Sequence, residues 1–150
     1  MIAYIQTNSE NKDFQALVKQ LDAALEITDE DEHSFYDQFN KIDNIKYVIV
    51  AYENNVPIGC GAIKQYDENT MEIKRMFVIP EKRGNGIASK ILTILENWSK
   101  ILHYKKCILE TGKRQIDAIA LYQKNNYTII KNYGQYQNAE NSVCFEKELI

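Results

Sequence analysis

Two glycines, Gly84 and Gly86, stand where an apolar, strand-like segment gives way to a long amphipathic segment. They belong to the run Met76-Phe77-Val78-Ile79-Pro80-Glu81-Lys82-Arg83-Gly84-Asn85-Gly86-Ile87-Ala88. Glycine allows backbone N–H groups to approach a bound anion closely, and a helix N-terminus adds partial positive charge. The pattern therefore predicts an anion site, for a pyrophosphate in particular, where the strand meets the helix.

Two other phosphate-binding patterns do not describe this turn. In the dinucleotide fingerprint G-x-G-x-x-G, Ser89 takes the place of the third glycine, and Lys105 and Lys106 lie where an acidic ribose partner is expected. The phosphate loop G-x-x-x-x-G-K-[ST] is absent from the sequence. Taken alone, Gly84-Asn85-Gly86 leave two alternatives open: an anion site, or a tight turn that binds nothing.

Two signatures in the chain resemble those of one enzyme family. Arg83 to Ala88 fit the pattern [QR]-x-x-G-x-[GA], the coenzyme A pyrophosphate motif of the GCN5-related N-acetyltransferase (GNAT) superfamily. The segment Met76 to Glu81 resembles that family's fourth strand and the turn after it. The second signature, A-x-x-L-Y-x-[KR]-x-G-[FY], is similar to Ala118-Ile119-Ala120-Leu121-Tyr122-Gln123-Lys124-Asn125-Asn126-Tyr127. Their order and spacing suit one domain, so residues 1–150 are interpreted as a single GNAT-type domain.

The apolar periodicity predicts the elements that must hold these motifs. Their order is β-α-α-β-β-β-α-β-α-β-β, with strands at about 2–6, 46–52, 56–65, 71–78, 106–110, 127–131 and 142–149. Helices are expected at about 9–26, with Ser9 as N-cap, at 32–40, from Gly86 to about Leu102, with Ile101 on its apolar stripe, and at 115–124. Glu53-Asn54-Asn55 predicts a hairpin turn between the second and third strands. This is an α/β pattern with mixed pairing. The resemblance implies the GNAT-like acyl-CoA N-acyltransferase fold, a mixed six- to seven-stranded sheet flanked by about four helices.

The resemblance also implies where acetyl-coenzyme A (acetyl-CoA) would bind as cosubstrate. In the family, it lies in a cleft where the fourth and fifth strands splay apart. Carried over, backbone groups of Met76, Phe77 and Val78 hold the pantetheine arm, and one of their N–H groups polarises the thioester carbonyl. The pyrophosphate falls to backbone N–H groups of the loop, with charge added by the Lys82 and Arg83 side chains; the loop residues are Arg83, Gly84, Asn85, Gly86, Ile87 and Ala88.

Tyr122 matches the family tyrosine that serves as general acid near the cofactor sulfur, and a phenol can protonate a leaving thiolate. A purely structural tyrosine is the alternative, since the chain has 10 tyrosines. Gln115 stands where many family members have an asparagine that contacts the cofactor. Asn126 replaces the usual glycine before Tyr127, and asparagine tolerates positive φ better than most residues.

Glu72 is the first candidate for a general base. It lies eleven residues before Arg83, the offset of the catalytic glutamate in the family's histone acetyltransferases. Strand alternation would place Glu72, Lys74, Met76 and Val78 on one face and Ile73, Arg75, Phe77 and Ile79 on the other. Glu110, at the end of the fifth strand, is a second candidate for base or amine anchor, and a water chain is a third alternative. For Glu72 itself, the alternative to catalysis is a pairing with Lys74 or with a residue on a neighbouring strand.

Charge is distributed unevenly along the chain, although the formal net charge is only −3. Residues 22–43 hold eight acidic residues against one lysine, whereas residues 81–114 hold eight basic residues against three acidic ones. A basic region near the glycine turn suits a cosubstrate with several phosphates. The acidic segment is either an attraction for a cationic acceptor or an ordinary solvated helix face. In the family the acceptor is set by residues 26–40 and by the last hairpin, here Tyr133-Gly134-Gln135-Tyr136.

Other function classes find little support in the composition. The sequence shows no metal-binding cluster, no signal-peptide pattern and no membrane-spanning run. No pattern favours nucleic acid. Three separated cysteines, Cys60, Cys107 and Cys144, are interpreted as reduced core thiols of a cytoplasmic protein. His33 and His103 are expected at the surface.

The sequence therefore predicts an acetyl-CoA-dependent N-acetyltransferase that uses no metal. Its acceptor would be a primary amine of a small molecule or peptide, which attacks the thioester directly in a ternary complex. No covalent nucleophile is needed, because a neutral amine attacks a thioester readily. A non-catalytic acyl-CoA-binding sensor on the same fold is the alternative, and a homodimer is left open.

Overall fold

The computed structural model describes residues 1–29 and 44–150, which form one seven-stranded sheet with helices on both faces. The elements are β1 (Ile2–Thr7), α1 (Lys12–Asp29), β2 (Tyr47–Glu53), β3 (Val56–Asp67), β4 (Thr70–Val78), α2 (Ile87–Ile101), β5 (Lys106–Gly112), α3 (Ile116–Lys124), β6 (Thr128–Ile130) and β7 (Ser142–Glu148). Short 3₁₀ helices span Pro80–Lys82 and Gly134–Tyr136. The predicted mixed α/β sheet is confirmed. The predicted helix at 32–40 lies outside the described residues.

The sheet order is β1-β2-β3-β4-β5-β7-β6, so β7 inserts between β5 and β6. Only the β4–β5 pair is parallel among the pairs recorded in the described chain. The α1 helix covers one face, where Phe14, Leu17 and Val18 pack on side chains of β2 and β3. The α2 helix covers the other face with Ile91 and Leu95. Because both faces are covered, β2 is a continuous apolar run from Val48 to Ala51, all four residues being buried.

Two details of the predicted helices are wrong. The N-cap of α1 is Asn11 rather than Ser9, because the Asn11 Oδ1 accepts a hydrogen bond from the Phe14 N–H at 2.8 Å. The Ser9 hydroxyl instead accepts from the Ile45 N–H at 3.1 Å. Ile101, expected on the apolar stripe of the long helix, is 72 % exposed at the last turn of α2.

Several residues adopt positive φ where their sequence context predicted turns. Asn54 and Asn55 join β2 to β3 with φ values of 52° and 65°, as the predicted hairpin requires. Asn126 has φ 71° in the turn after α3, which confirms that asparagine takes over the glycine position there. His103, expected at the surface, is exposed after α2.

A bulge in β4 changes which side chains share a face. Lys74 pairs with Ala62, and Phe77 pairs with Cys60. Two residues of β4, Arg75 and Met76, therefore lie opposite the single β3 residue between Cys60 and Ala62. Arg75 takes φ 60° at this point. The extra residue moves the alternation of the strand by one position.

The predicted faces of β4 are therefore wrong. Phe77 packs with the α1 cluster, whereas the residues of β4 that pack with the α2 cluster are Met71, Ile73, Met76 and Val78. Glu72 and Lys74 do not share a face with Met76 and Val78, and Ile73 does not share one with Phe77 and Arg75. A period-two rule has no means of locating an inserted residue.

All three cysteines are buried and unpaired, as predicted. The Cys60 thiol donates to the Arg75 carbonyl at 3.3 Å, and the Cys107 thiol lies 3.7 Å from the Ser99 hydroxyl. Burial raises the pKa of Cys60 to about 12 and the pKa values of Cys107 and Cys144 to about 11. Thiolate is the reactive form, so the folded protein should resist thiol reagents.

We expect the native protein to react with a disulfide reagent such as DTNB at pH near 8 far more slowly than free glutathione in the same buffer, by about a hundredfold or more. After unfolding in guanidinium, all three thiols of the same protein should react with the reagent and give the absorbance expected for three thiols per chain. The measurement is the absorbance time course at equal thiol concentration. Rapid stoichiometric labelling of even one thiol in the native protein would contradict the burial described.

Candidate active site

The glycine turn has the geometry of an anion site. Gly84 and Gly86 have φ values of 81° and 78°, in the left-handed region that favours glycine. Gly86 is the N-cap of α2, and no side chain caps the helix. The first N–H groups of α2 have no intrahelical acceptors. Residues 83–86 are exposed, and a Cβ placed on either glycine would meet no atom within 4 Å. The loop therefore presents uncovered N–H groups to solvent.

Side chains of the predicted loop mostly stabilise the loop itself. The Arg83 Nε donates to the Val78 carbonyl at 2.8 Å, and its guanidinium lies 5.5 Å from the centre of the Phe77 ring. Lys82 forms an ion pair with Glu53. The Asn85 amide donates to the Lys82 carbonyl at 3.0 Å. The Ile87 side chain is 3 % exposed in the core, so only its backbone remains for a ligand.

The β4 and β5 strands separate beyond their first residues. Their parallel pairing covers Thr70 to Glu72 of β4 against Lys106 to Ile108 of β5. Past Glu72, β4 continues to Val78 with no β5 pairing recorded in the described chain. Backbone groups on that edge of β4 therefore lack a strand partner. The three predicted pantetheine-binding residues, Met76, Phe77 and Val78, lie in this segment.

A cavity of ≈ 140 Å³ lies at this separation. It brings together the ends of two strands and the start of α3 with two leucines of α1, Leu21 and Leu25. Its polar lining comes from both strands, from α3 and from the β6–β7 connection; the residues are Glu72, Lys74, Arg75, Glu110, Thr111, Gln115, Tyr122 and Tyr136. The predicted acid, both candidate bases and Gln115 thus line one space.

Tyr122 lies on α3 with 6 % of its surface exposed. Its ring contacts Tyr127 and Phe145, with centroids 5.9 Å and 6.0 Å away. Burial raises the pKa of the Tyr122 phenol, and the negative charge of Glu110 raises it further. The phenol therefore keeps its proton throughout the neutral pH range.

Gln115 forms the N-cap of α3, and its backbone N–H bonds to the Gly112 carbonyl at 3.0 Å. Its side-chain Nε2 is buried and has no hydrogen-bond partner within the described ranges. Buried amide donors nearly always have a partner in native proteins. An orphaned donor on the wall of this cavity fits a site whose ligand supplies the acceptor.

Glu72 is held by a residue from the other end of the chain. The Tyr133 hydroxyl donates to Glu72 Oε2 at 2.6 Å, and the Lys74 Nζ lies 3.9 Å from Glu72 Oε1. Burial raises the pKa of Tyr133, and Glu72 adds to that effect, so Tyr133 remains the donor. The carboxylate is fixed in position between a phenol and an ammonium group.

Glu110 has a similar hydroxyl partner on the opposite wall. The Ser142 hydroxyl donates to Glu110 Oε2 at 2.6 Å. Tyr136 lines the same cavity; burial raises its pKa, and the charges of Glu110 and Glu72 raise it further. Of the predicted hairpin segment, Tyr133 and Tyr136 reach the site, whereas Gln135 is exposed.

Two charged residues of the cavity, Lys74 and Arg75, were predicted only as members of a strand face. Burial lowers the pKa of Lys74, and the nearby Glu72 charge opposes that shift. Arg75 is 6 % exposed in spite of its charge. A run of two basic residues inside an otherwise apolar strand was the available signal, because buried cations are rare unless they are paired.

The residues around the separation fit a coenzyme A-type ligand. The uncapped N-terminus of α2 suits a pyrophosphate, the open edge of β4 suits a chain with amide groups, and the Gln115 amide lacks an acceptor. Among residues 1–29 and 44–150, no group of His, Cys, Asp and Glu side chains is placed to hold a metal ion. No helix in those ranges is both long and apolar enough to cross a membrane.

Known proteins share this sequence and fold. Residues 12–127 match the sequence profile of the Acetyltransferase (GNAT) family. An IAA acetyltransferase from Azospirillum brasilense is 35% identical over 102 residues, which are 67% of each chain. An uncharacterised N-acetyltransferase, YjgM of Escherichia coli, is 32% identical over 80 residues, or 51% of this chain and 47% of the relative.

Solved structures extend the likeness to the whole chain. A Klebsiella pneumoniae structure assigned to the acyl-CoA N-acyltransferases is 30% identical, with a TM-score of 0.84 over 100% of this chain and 99% of the other. A PaiA N-acetyltransferase from Thermoplasma acidophilum in complex with coenzyme A superposes with a TM-score of 0.73 at 17% identity, covering 99% of both chains. The sequence match and the shared sheet architecture agree, and the chain belongs to the GNAT family of acetyltransferases.

Proposed function

We propose that this protein transfers an acetyl group from acetyl-CoA to a primary amine by direct attack within a ternary complex. The observation that carries the proposal is the cavity between β4 and β5, where a protonated phenol and two glutamate side chains line one space. The same β4 strand leads on to the uncapped N-terminus of α2. The family of the chain supports an acyl-CoA-dependent acetyltransferase, and GNAT acetyltransferases act on amine acceptors.

Acetyl-CoA supplies the acetyl group as a thioester. We place its pyrophosphate at the loop of residues 83–88, where glycine backbone and the N-terminus of α2 offer N–H donors. The pantetheine arm then follows the open edge of β4 past Val78, Phe77 and Met76 towards the cavity. Gln115 is placed to donate its unpartnered amide hydrogen to an oxygen of the arm.

Tyr122 is the proposed general acid. When the amine nitrogen bonds to the carbonyl carbon and the carbon–sulfur bond breaks, the thiolate needs a proton. The Tyr122 phenol is protonated because burial and Glu110 raise its pKa. It is held by ring contacts with Tyr127 and Phe145, so its direction is set by the core.

Glu72 is the proposed general base, because Glu110 and not Glu72 influences the pKa of the proposed acid, Tyr122. Glu110 raises the pKa of Tyr122 and therefore stabilises the protonated acid. Glu72 raises the pKa of Tyr133 instead, and Tyr133 fixes it by a 2.6 Å hydrogen bond. One carboxylate thus supports the acid, and the other is left to accept the proton of the attacking amine.

Direct attack agrees with the chemistry of the cavity wall. No cysteine, serine or histidine lines the cavity in the part of the chain that the structure describes. The pKa values of Cys60, Cys107 and Cys144 are raised to about 11 or 12, so none is an activated thiolate near neutral pH. None of the three thiols is therefore an evident carrier for an acetyl-enzyme intermediate.

Replacing Gly86 with valine should lower the affinity for acetyl-CoA by at least about tenfold. The left-handed φ disfavours valine by about 1–2 kcal/mol, and the new side chain would project into the open space over the N-terminus of α2. Isothermal titration calorimetry measures the affinity. Asn55→Val introduces the same kind of backbone strain in the β2–β3 turn, at φ 65°, and should leave the affinity within about threefold. Equal affinity for both variants would refute this placement of the pyrophosphate.

Replacing Tyr122 with phenylalanine should lower kcat by at least about tenfold and leave the Kd for acetyl-CoA within a few-fold. The ring contacts survive in phenylalanine, and only the proton donor is removed. Thiol release with a panel of amines measures turnover. Tyr47→Phe is the matched control, because Tyr47 packs against Trp98 and does not line the cavity. Unchanged turnover of Tyr122→Phe on an accepted amine would overturn the assignment of the acid. Cofactor binding by the wild type without turnover of any amine would favour a sensor.

Replacing Glu72 with glutamine should lower kcat/KM at neutral pH by about 10²-fold or more, the usual contribution of a general base. Glu110→Gln should cost less, because it removes only the charge that supports Tyr122. Glu68→Gln, in the exposed β3–β4 turn, is the control that should behave as wild type. If Glu110→Gln proves the more damaging change, the two carboxylates have been assigned in the wrong order.

A further inference from the structure

Arg75 combines a strained position with a buried charge. It occupies the bulge of β4 with φ 60°, a conformation that is uncommon for residues other than glycine, and it lines the cavity. Its side chain is 2% exposed, and its Nη1 donates to Asp22 Oδ1 of α1 at 2.9 Å. Strained residues held by their surroundings are frequent at ligand sites. The ion pair with Asp22 uses only one of the three guanidinium nitrogens.

The other two nitrogens of this guanidinium lack partners. Nε and Nη2 are both buried, and neither has a hydrogen-bond acceptor in the described part of the chain. Buried donors on a charged group are costly to leave unsatisfied, and each such group in a native protein calls for an explanation. Nε and Nη2 together form one edge of the guanidinium, whose two parallel N–H bonds match the two oxygens of a carboxylate.

Asp22 does not remove the need for that second partner. Its side chain is 35% exposed, and its carboxylate approaches Nη1 on a different edge of the guanidinium. If the role of Arg75 were only to connect β4 to α1, the ion pair between its Nη1 and Asp22 would be sufficient. A lysine could form such an ion pair equally well. Two unpartnered nitrogens on a guanidinium that lines the cavity point instead to a second carboxylate, supplied by a ligand.

The opposite sign of charge lines the same cavity. Glu72 and Glu110 both reach it, and carboxylates are the usual partners of an ammonium group. The volume of ≈ 140 Å³ is close to the ~150 Å³ of a cavity that holds one benzene molecule, so only a small ligand end fits. A cavity whose charged lining consists of Lys74, Arg75 and the two glutamates matches a small molecule carrying both a carboxylate and an amine.

We propose that Arg75 is a specificity-determining residue that binds the carboxylate of the acceptor through its Nε and Nη2 atoms, so that the acceptor class is a small amino carboxylate such as a free amino acid. The inference rests on the proposed acetyl transfer to an amine. With the carboxylate on Arg75, the amino group of the acceptor lies on the carboxylate-lined side of the cavity. Acetylation there forms the nitrogen–carbonyl bond and breaks the carbon–sulfur bond, so that the zwitterion and the thioester become an N-acetyl carboxylate, the coenzyme A thiol and one released proton.

The test compares free amino acids with their carboxamides as acceptors. Removing the carboxylate lowers the pKa of the neighbouring amine, which by itself makes the carboxamide the more reactive nucleophile. We nevertheless expect the wild type to prefer the acid in kcat/KM by about tenfold or more, mainly through KM, because hydrogen bonds to charged groups contribute strongly. Carboxamides accepted equally well or better would overturn the inference and leave the proposed transferase intact.

Arg75→Lys keeps the charge and removes the fork. It should lower kcat/KM for the amino acid by about tenfold or more and leave the carboxamide within about threefold, so that the preference disappears. Asp22→Asn is the matched control: it weakens the structural ion pair but keeps the fork, and it should retain the preference. A purely structural role predicts parallel losses on both acceptors, and similar losses from both variants; that result would refute the inference.

A binding measurement separates this inference from the proposed function. Thermal stabilisation of the wild type by millimolar amino acid, weak with the carboxamide and lost in Arg75→Lys, would support carboxylate recognition whether or not turnover is seen. If that stabilisation occurs and no acetyl transfer follows, the transferase proposal fails alone. If amines without a carboxylate are acetylated and amino acids neither bind nor react, the Arg75 proposal fails alone.

Discussion

The short parallel pairing of β4 with β5 is the constraint on which the rest of the site depends. The two strands pair only over Thr70 to Glu72 and Lys106 to Ile108, and beyond that their ends diverge. The end of β4 leads through the glycine turn into α2, and the end of β5 leads through Gln115 into α3. One separation therefore leaves an open backbone edge on β4, with the glycine turn at the end of that strand and the helix that carries Tyr122 after β5.

The bulge at Arg75 adds a second consequence to the same strand. Before it, Glu72 and Lys74 point towards the cavity; after it, Met76 returns to the core beneath α2 and Phe77 to the core beneath α1. A regular strand would have kept one alternation throughout. The bulge thus lets a single strand supply charged groups to the cavity at one end and firmly packed backbone to the proposed cosubstrate at the other.

Local patterns predicted most of the fold and named four residues that line the candidate site, Glu72, Glu110, Gln115 and Tyr122. Positive φ at Gly86, Asn55 and Asn126 follows from residue type and position, and Tyr122 follows from its signature. The sheet order, with β7 between β5 and β6, depends on pairing between distant segments that periodicity does not encode. The contact of Tyr133 with Glu72 spans 61 residues, and no spacing rule could supply it. The bulge in β4 could not be predicted from the sequence for a similar reason, because it depends on the pairing register with β3.

Burial changes the pKa values of titratable groups in the cavity in opposite directions. Desolvation favours neutral forms, so it raises the pKa of Tyr122 and lowers that of Lys74. The Glu72 carboxylate accepts a hydrogen bond from the Tyr133 hydroxyl and so has a donor inside the protein. A phenol that keeps its proton and a carboxylate that accepts hydrogen bonds can therefore share one small space. Tyr122 reaches the cavity from α3 and Glu72 from β4, so an acceptor between them would meet the proposed acid on one side and the proposed base on the other.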